Sequence, residues 1–243
     1  MRELRGVRKS ARGVSLYSRW VNRPLGRPAA AAALVMGLRP NHVTLISAAL
    51  TYTGIAVIAL VPPSPGTGIA VAALLVLGFA LDSADGQLAR LRREASPAGE
   101  WLDHMVDCAK VVALHAAVLV SLYRFHDLPA ESWLLVPLVF QTAAVVIFCG
   151  GLLTDKLLSA ARAAAPSTGA DGAADRETPP PWWRALALLP ADYGVLCWSF
   201  LLLAQAPWFR VGYALLAAAN LLFAAAFLAL WYRRVVAVTA PRR

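Results

Sequence analysis

Residues 68–107 read GIAVAALLVLGFALDSADGQLARLRREASPAGEWLDHMVD, and this stretch decides the fold. An apolar run from Gly68 continues into Arg90, a short polar turn covers about Arg92 to Ala98, and a second apolar run starts near Gly99. A helix needs about 20 mainly apolar residues to cross roughly 30 Å of hydrocarbon. Two such runs around so short a turn make an antiparallel helical hairpin in a membrane.

The rest of the chain repeats the pattern. Of 243 residues, 59% are hydrophobic and 15% charged, with the apolar ones gathered into long runs. The runs predict an all-α integral membrane protein of six spans. Their approximate bounds are Val43 to Val61, Gly68 to Arg90, Gly99 to Leu122, Ser132 to Leu158, Ala185 to Gln205 and Trp208 to Trp231. The division is therefore a basic N-terminal segment (1–40) and a six-helix transmembrane domain (41–243). In the first part Val14, Tyr17, Trp20 and Val21 share a helical face, which predicts a helix lying in the membrane interface. Pro28 is placed to start a second short helix to Gly37. The start of the chain does not read as a signal peptide.

A net charge of +9 raises the possibility of nucleic acid, but the cations sit where membrane topology puts them. They cluster before the first span, between spans two and three (Arg90, Arg92, Arg93), between four and five (Lys156, Arg162, Arg176, Arg184) and at the C-terminus. Only Arg124 and Arg210 fall on the other side. This asymmetry predicts both termini in the cytoplasm and argues against a nucleic-acid partner. The polar stretch Ala163 to Pro181 reads as a mobile cytoplasmic loop. Cys108, Cys149 and Cys197 are scattered within apolar runs and read as buried residues rather than a disulfide framework.

The chemistry lies in the hairpin. Asp82 and Asp85, three apart, share a face of one helix, and Asp103 and Asp107, four apart, share a face of the next. Both pairs lie near the cytoplasmic turn and can face each other. Carboxylates in a membrane are costly unless paired, hydrated or bound to metal. Oxygen ligands of this kind suit Mg²⁺ or Mn²⁺, and two such ions would clamp a pyrophosphate. Gly86, Ala89 and Gly99 clear bulk beside the acids, and Arg90 offers a fork for phosphate oxygens. Taken singly, the glycines read equally as helix packing and Arg90 as a membrane-edge anchor.

The spacing D-x2-D-G-x2-A-R-x8-G-x3-D-x3-D resembles the signature of the CDP-alcohol phosphotransferase family, with every fixed position present. The resemblance implies a phospholipid-synthesis enzyme, a homodimer of the plasma membrane with its active site at the cytoplasmic face. It would transfer a phosphatidyl-type group from a CDP-linked lipid to an alcohol and release CMP. It implies two divalent ions on Asp82, Asp85, Asp103 and Asp107, with Asp107 also acting as general base. Gly86, Ala89, Arg90 and Gly99 would form the CDP side. Asn41-His-Val-Thr44 is similar to the family's N-x-x-T element, so Asn41 and Thr44 would contact the aspartates or the nucleotide. A helix cap is the other reading of Asn41.

The acceptor signal is weaker. The stretch Thr154 to Ala163 matches the family's phosphorylated-acceptor element poorly. Lys156 and Arg162 fit either an acceptor phosphate or membrane anchoring, and Asp192 fits either the acceptor cavity or a proline-bent helix start. Inositol phosphate, glycerol phosphate and serine all stay open as acceptors. His104 reads as a neighbour of Asp103 and not a ligand, His115 as hydrogen-bonded in the bundle, and His126 as a loop residue. Trp182, Trp183, Trp208 and Trp231 read as interfacial anchors. A six-span transporter or cation-binding protein is the alternative, and it would place its acids near mid-membrane and show a half-to-half repeat.

Overall fold

The computed structural model describes residues 17–164 and 188–239. The described chain is all helical. A turn of wide helix, Ser18–Asn22, runs into α1 (Arg23–Val35). It is followed by α2 (Pro40–Leu60), α3 (Pro65–Arg92), α4 (Pro97–Phe125), α5 (Leu135–Ala164), the short α6 (Tyr193–Ser199) and α7 (Ala206–Thr239). Among the described residues, α2, α3, α4, α5 with the turn before it, and α7 are long and apolar enough to cross a membrane.

Local sequence explains the boundaries. Proline stands in the first turn of α2, α3 and α4, where its missing N–H costs nothing. Ser64 and Ser96 cap α3 and α4 by accepting from Thr67 N at 3.0 Å and Gly99 N at 3.1 Å. α3 closes on Arg93 in the left-handed conformation, φ 55°, which tightens the turn into α4. The predicted hairpin is thus present, with only residues 93–96 between its helices.

Two expectations change. The run from Ala185 to Gln205 is not one continuous helix over its described part. Pro190 and Asp192 interrupt it, leaving 3-10 turns at Leu189–Ala191 and Phe200–Leu202 on either side of α6. Proline lacks the N–H that helix continuation needs. Pro28 does not start a helix but lies inside α1, whose first turn carries Pro24 instead. Val14, Trp182, Trp183 and nearly all of the Ala163 to Pro181 stretch lie outside the described residues.

α3 is the central element. It packs against α1, α2 and α6, while α2 also packs on α4, and α5 joins α4 to α7. Gly78 explains the closeness of α2 and α3: a side chain there would strike Thr51 Oγ1 and approach the Ser47 carbonyl. Ser47 Oγ in turn donates to Gly78 O at 2.8 Å. Gly26 does the same for α1, since a Cβ at that position would lie 2.8 Å from Gln87 Nε2.

A core of Ile58, Val71, Leu75, Leu114, Val118, Phe140, Phe200, Phe209 and Tyr213 fills the end of the bundle away from the hairpin turn. His115 Nδ1 shares a hydrogen bond with Tyr213 Oη there, as expected. Cys197 is buried, Cys108 partly so, and Cys149 is exposed, so the three cysteines are not uniformly core residues. Trp208 is exposed, but Trp231 stacks on Phe227 and lies over Gly150 and Gly151 as an α5–α7 packing residue. Tyr17 stacks on Phe79 and accepts from Trp198 Nε1 at 3.0 Å, so it faces the bundle while Trp20 is exposed.

Candidate metal centre on the α3–α4 hairpin

Height along the two helices follows from residue count. Asp82 and Asp85 lie about 15 and 10 Å back from the end of α3, and Asp103 and Asp107 about 9 and 15 Å into α4, at 1.5 Å per residue. The short turn therefore brings the pairs level. One carboxylate oxygen from each of Asp82, Asp103 and Asp107 lies within 4.8 Å of the others. The donor set is all oxygen, and each carboxylate is partly open. It fits a hard divalent cation such as Mg²⁺ or Mn²⁺.

Asp85 is placed differently. It is buried, and its Oδ2 accepts from Thr44 Oγ1 at 2.6 Å while its Oδ1 accepts from Gly86 N. Thr44 reaches it because α2 and α3 cross closely at Gly78. Asp85 thus stands beside the three-carboxylate group, tied to α2. Thr44 also contacts the Pro40 carbonyl at 3.3 Å.

The nucleotide-side candidates line the same mouth. The Arg90 guanidinium lies over Gly86, 3.5 Å from where a Cβ would be. Ala89 is half-buried on the same turn. Asn41 Oδ1 would be 3.3 Å from a Cβ at Gly99, so α2 and α4 converge there. The cap of α2 is Arg39, not Asn41, whose side chain faces Gly99.

On the acceptor side, Lys156 Nζ pairs with Glu100 Oε1 at 2.6 Å, joining α5 to α4 at the exposed mouth. Arg162 is exposed on the last turn of α5. Asp192 is buried and caps α6, its Oδ1 accepting from Gly194 N at 2.8 Å. His104 lies between Glu100 Oε1 at 3.6 Å and Asp103 Oδ2 at 3.9 Å, and is not one of the three clustered acids.

Sequence reasoning passed over two residues. Lys110, a turn deeper than Asp107, is buried and bridges the hairpin: Nζ donates to Asp82 Oδ1 at 2.7 Å and Asp107 Oδ1 at 3.1 Å. The signal was the i, i+3 spacing of an acid and a lysine inside an apolar span. Glu100 was missed too, because its partner Lys156 is 56 residues away.

The profile of the CDP-alcohol phosphatidyltransferase family matches residues 37–169, more than half of the chain. The chain belongs to that family. It is a CDP-alcohol phosphotransferase, and the matched region runs from the start of α2 past the end of α5, containing every residue of the hairpin site. No curated protein matches the sequence. The fold is shared with phosphatidylinositol phosphate synthase of Mycobacterium tuberculosis. Its structure in complex with manganese and citrate aligns with a TM-score of 0.54 and 22% identity, over 85% of this chain and 88% of that one. Its structure with CDP-DAG bound aligns with a TM-score of 0.51 and 22% identity, over 91% and 95%.

Proposed function

We propose that this phosphotransferase moves a phosphatidyl-type group from a CDP-linked lipid to the hydroxyl of an acceptor alcohol and releases CMP. The observation that carries the reading is the meeting of Asp82, Asp103 and Asp107 from two helices within 4.8 Å. The manganese and the CDP-DAG of the structural neighbours agree with it.

Asp82, Asp103 and Asp107, with Asp85 beside them, would hold two divalent ions. When bound, those ions supply charge neutralisation of the diphosphate and of the leaving CMP. The protein's own residues do the rest. Gly86, Ala89 and Gly99 leave room for the nucleotide, Arg90 donates to phosphate oxygens, and Asn41 and Thr44 fix the edge toward α2. Asp107, with one oxygen tied to Lys110, presents the other to both the metal site and the acceptor hydroxyl. As the acceptor oxygen forms its bond to phosphorus, the bond to CMP breaks. The acceptor proton passes to Asp107, and CMP leaves as the anion.

Lys156 and Arg162 are the described α5 cations proposed for a phosphorylated acceptor; Asp192 caps α6 through Oδ1 and keeps a buried, unpartnered Oδ2, so it stays in that set. The fold supports six crossings with both termini cytoplasmic. α5 ends on the side of the hairpin turn, whereas α7 starts at the other end, where Arg210 donates to Asp127 O. The described α6, which packs on α3 just before α7, supports a further crossing there. A homodimer in the plasma membrane completes the proposal.

The test is CMP release from CDP-diacylglycerol by protein in nanodiscs with Mn²⁺ or Mg²⁺, across polyol, polyol-phosphate and amino-alcohol acceptors. At least one acceptor gives release, and Asp107→Asn lowers it by about 100- to 10,000-fold, the range for loss of a general base. No release with any acceptor would return the reading to a cation-binding membrane protein.

A further inference from the structure

Lys110 is further from either end of its helix than any other Lys or Arg in the described spans. Its side chain is 8% exposed, against 20% for Asp82 and 29% for Asp107. The ammonium therefore lies beneath the carboxylates, on the bundle side, and they stay partly open above it. A lysine at this depth is stable only where anions meet it. Asp82 comes from α3 and Asp107 from α4, so the contact also bridges the hairpin. Without it, acids from both helices would repel each other in a medium that screens them poorly.

We infer that Lys110 is a positioning residue of the acidic site: a resident cation that assembles the α3 and α4 carboxylates before any divalent ion binds. It takes one oxygen of Asp82 and one of Asp107 and turns the remaining oxygens outward. Its fixed charge also opposes a divalent ion above it, so the site trades metal affinity for pre-assembly. The inference rests on the metal reading of the three carboxylates, but half of its test needs no metal.

The experiment compares wild type, Lys110→Met and Lys110→Arg in detergent, by thermal unfolding in EDTA and by Mn²⁺ binding followed by electron paramagnetic resonance. In EDTA, Lys110→Met unfolds about 10 °C below wild type, as loss of one partner from a buried ion pair implies. Mn²⁺ restores much of that difference and binds about tenfold more tightly than to wild type, because a like charge has gone. Lys110→Arg stays near wild type in both. Equal unfolding temperatures in EDTA, or Mn²⁺ binding unchanged or weaker in Lys110→Met, would overturn the inference. Absence of Mn²⁺ binding to wild type would instead sink the metal reading. Should Lys110→Met yield no folded protein, the double variant Lys110→Met/Asp82→Asn removes cation and anion together. Recovery of folded protein supports the pairing, and failure of the double variant contradicts it.

Discussion

Single residues show how the site borrows from distant chain. Asp85 is a buried acid whose hydroxyl partner, Thr44, comes from another helix. Thr44→Val keeps the shape and removes the donor, so it should cost about 1–3 kcal/mol, the range for leaving a buried polar group without its partner. Thermal unfolding in detergent reads this, and Thr44→Ser should restore it. His126 offers a pH test outside the spans. Burial, and then the nearby Arg210, hold its pKa below the ordinary 6.5. Its stabilising contribution is full above 6.5 and falls as pH drops toward the lower folded value. His126→Gln should therefore flatten the acid side of the stability profile, and an unchanged profile would refute the assignment. At this scale the sequence was informative for Asp82, Asp103 and Asp107, whose spacing puts them on facing surfaces. It was silent on Thr44–Asp85 geometry and on Glu100–Lys156, which only tertiary packing creates. Lys110 was passed over, although its i, i+3 spacing from Asp107 deep inside a span pointed to it.

Among elements, the α2–α3 crossing governs the site. Gly78 lets the helices touch, and that contact places Thr44 over Asp85. Gly78→Leu should force them apart and cost about 1–3 kcal/mol or more from overpacking. CMP release should fall with it, although residue 78 touches no substrate. The hydropathy of the chain foresaw α2, α3, α4, α5 and α7 within a few residues at most ends, because long apolar runs with proline and serine starts leave little choice. The described part of the run after residue 188 is broken for a physical reason. Its composition is apolar enough for a span, but Pro190 and the capping Asp192 set a break that hydropathy averages away. Pro28 misled in the opposite way, since the helix had already begun near Pro24.

For the described part of the molecule, the acidic hairpin site lies toward one end and the largest apolar cluster toward the other. The hairpin turn and the end of α5 share the first end, while Arg124 donates to Ala59 O and Arg210 to Asp127 O at the other. Cysteines introduced at Ser96 and Ala130, with Cys149 replaced, should label from opposite sides of sealed vesicles, Ser96→Cys from the cytoplasmic side. Labelling of both from one side would contradict the topology. In the proposed orientation, the acyl chains of a CDP-linked lipid would stay in the bilayer while CMP exchanges with water.

The most direct test of the account is Mn²⁺ binding to purified protein, comparing single variants from each helix of the hairpin. Asp82→Asn on α3 and Asp103→Asn on α4 should each weaken binding at least about tenfold, as loss of a charged oxygen ligand implies. Unchanged Mn²⁺ affinity in either variant would show that the two helices do not share one metal centre.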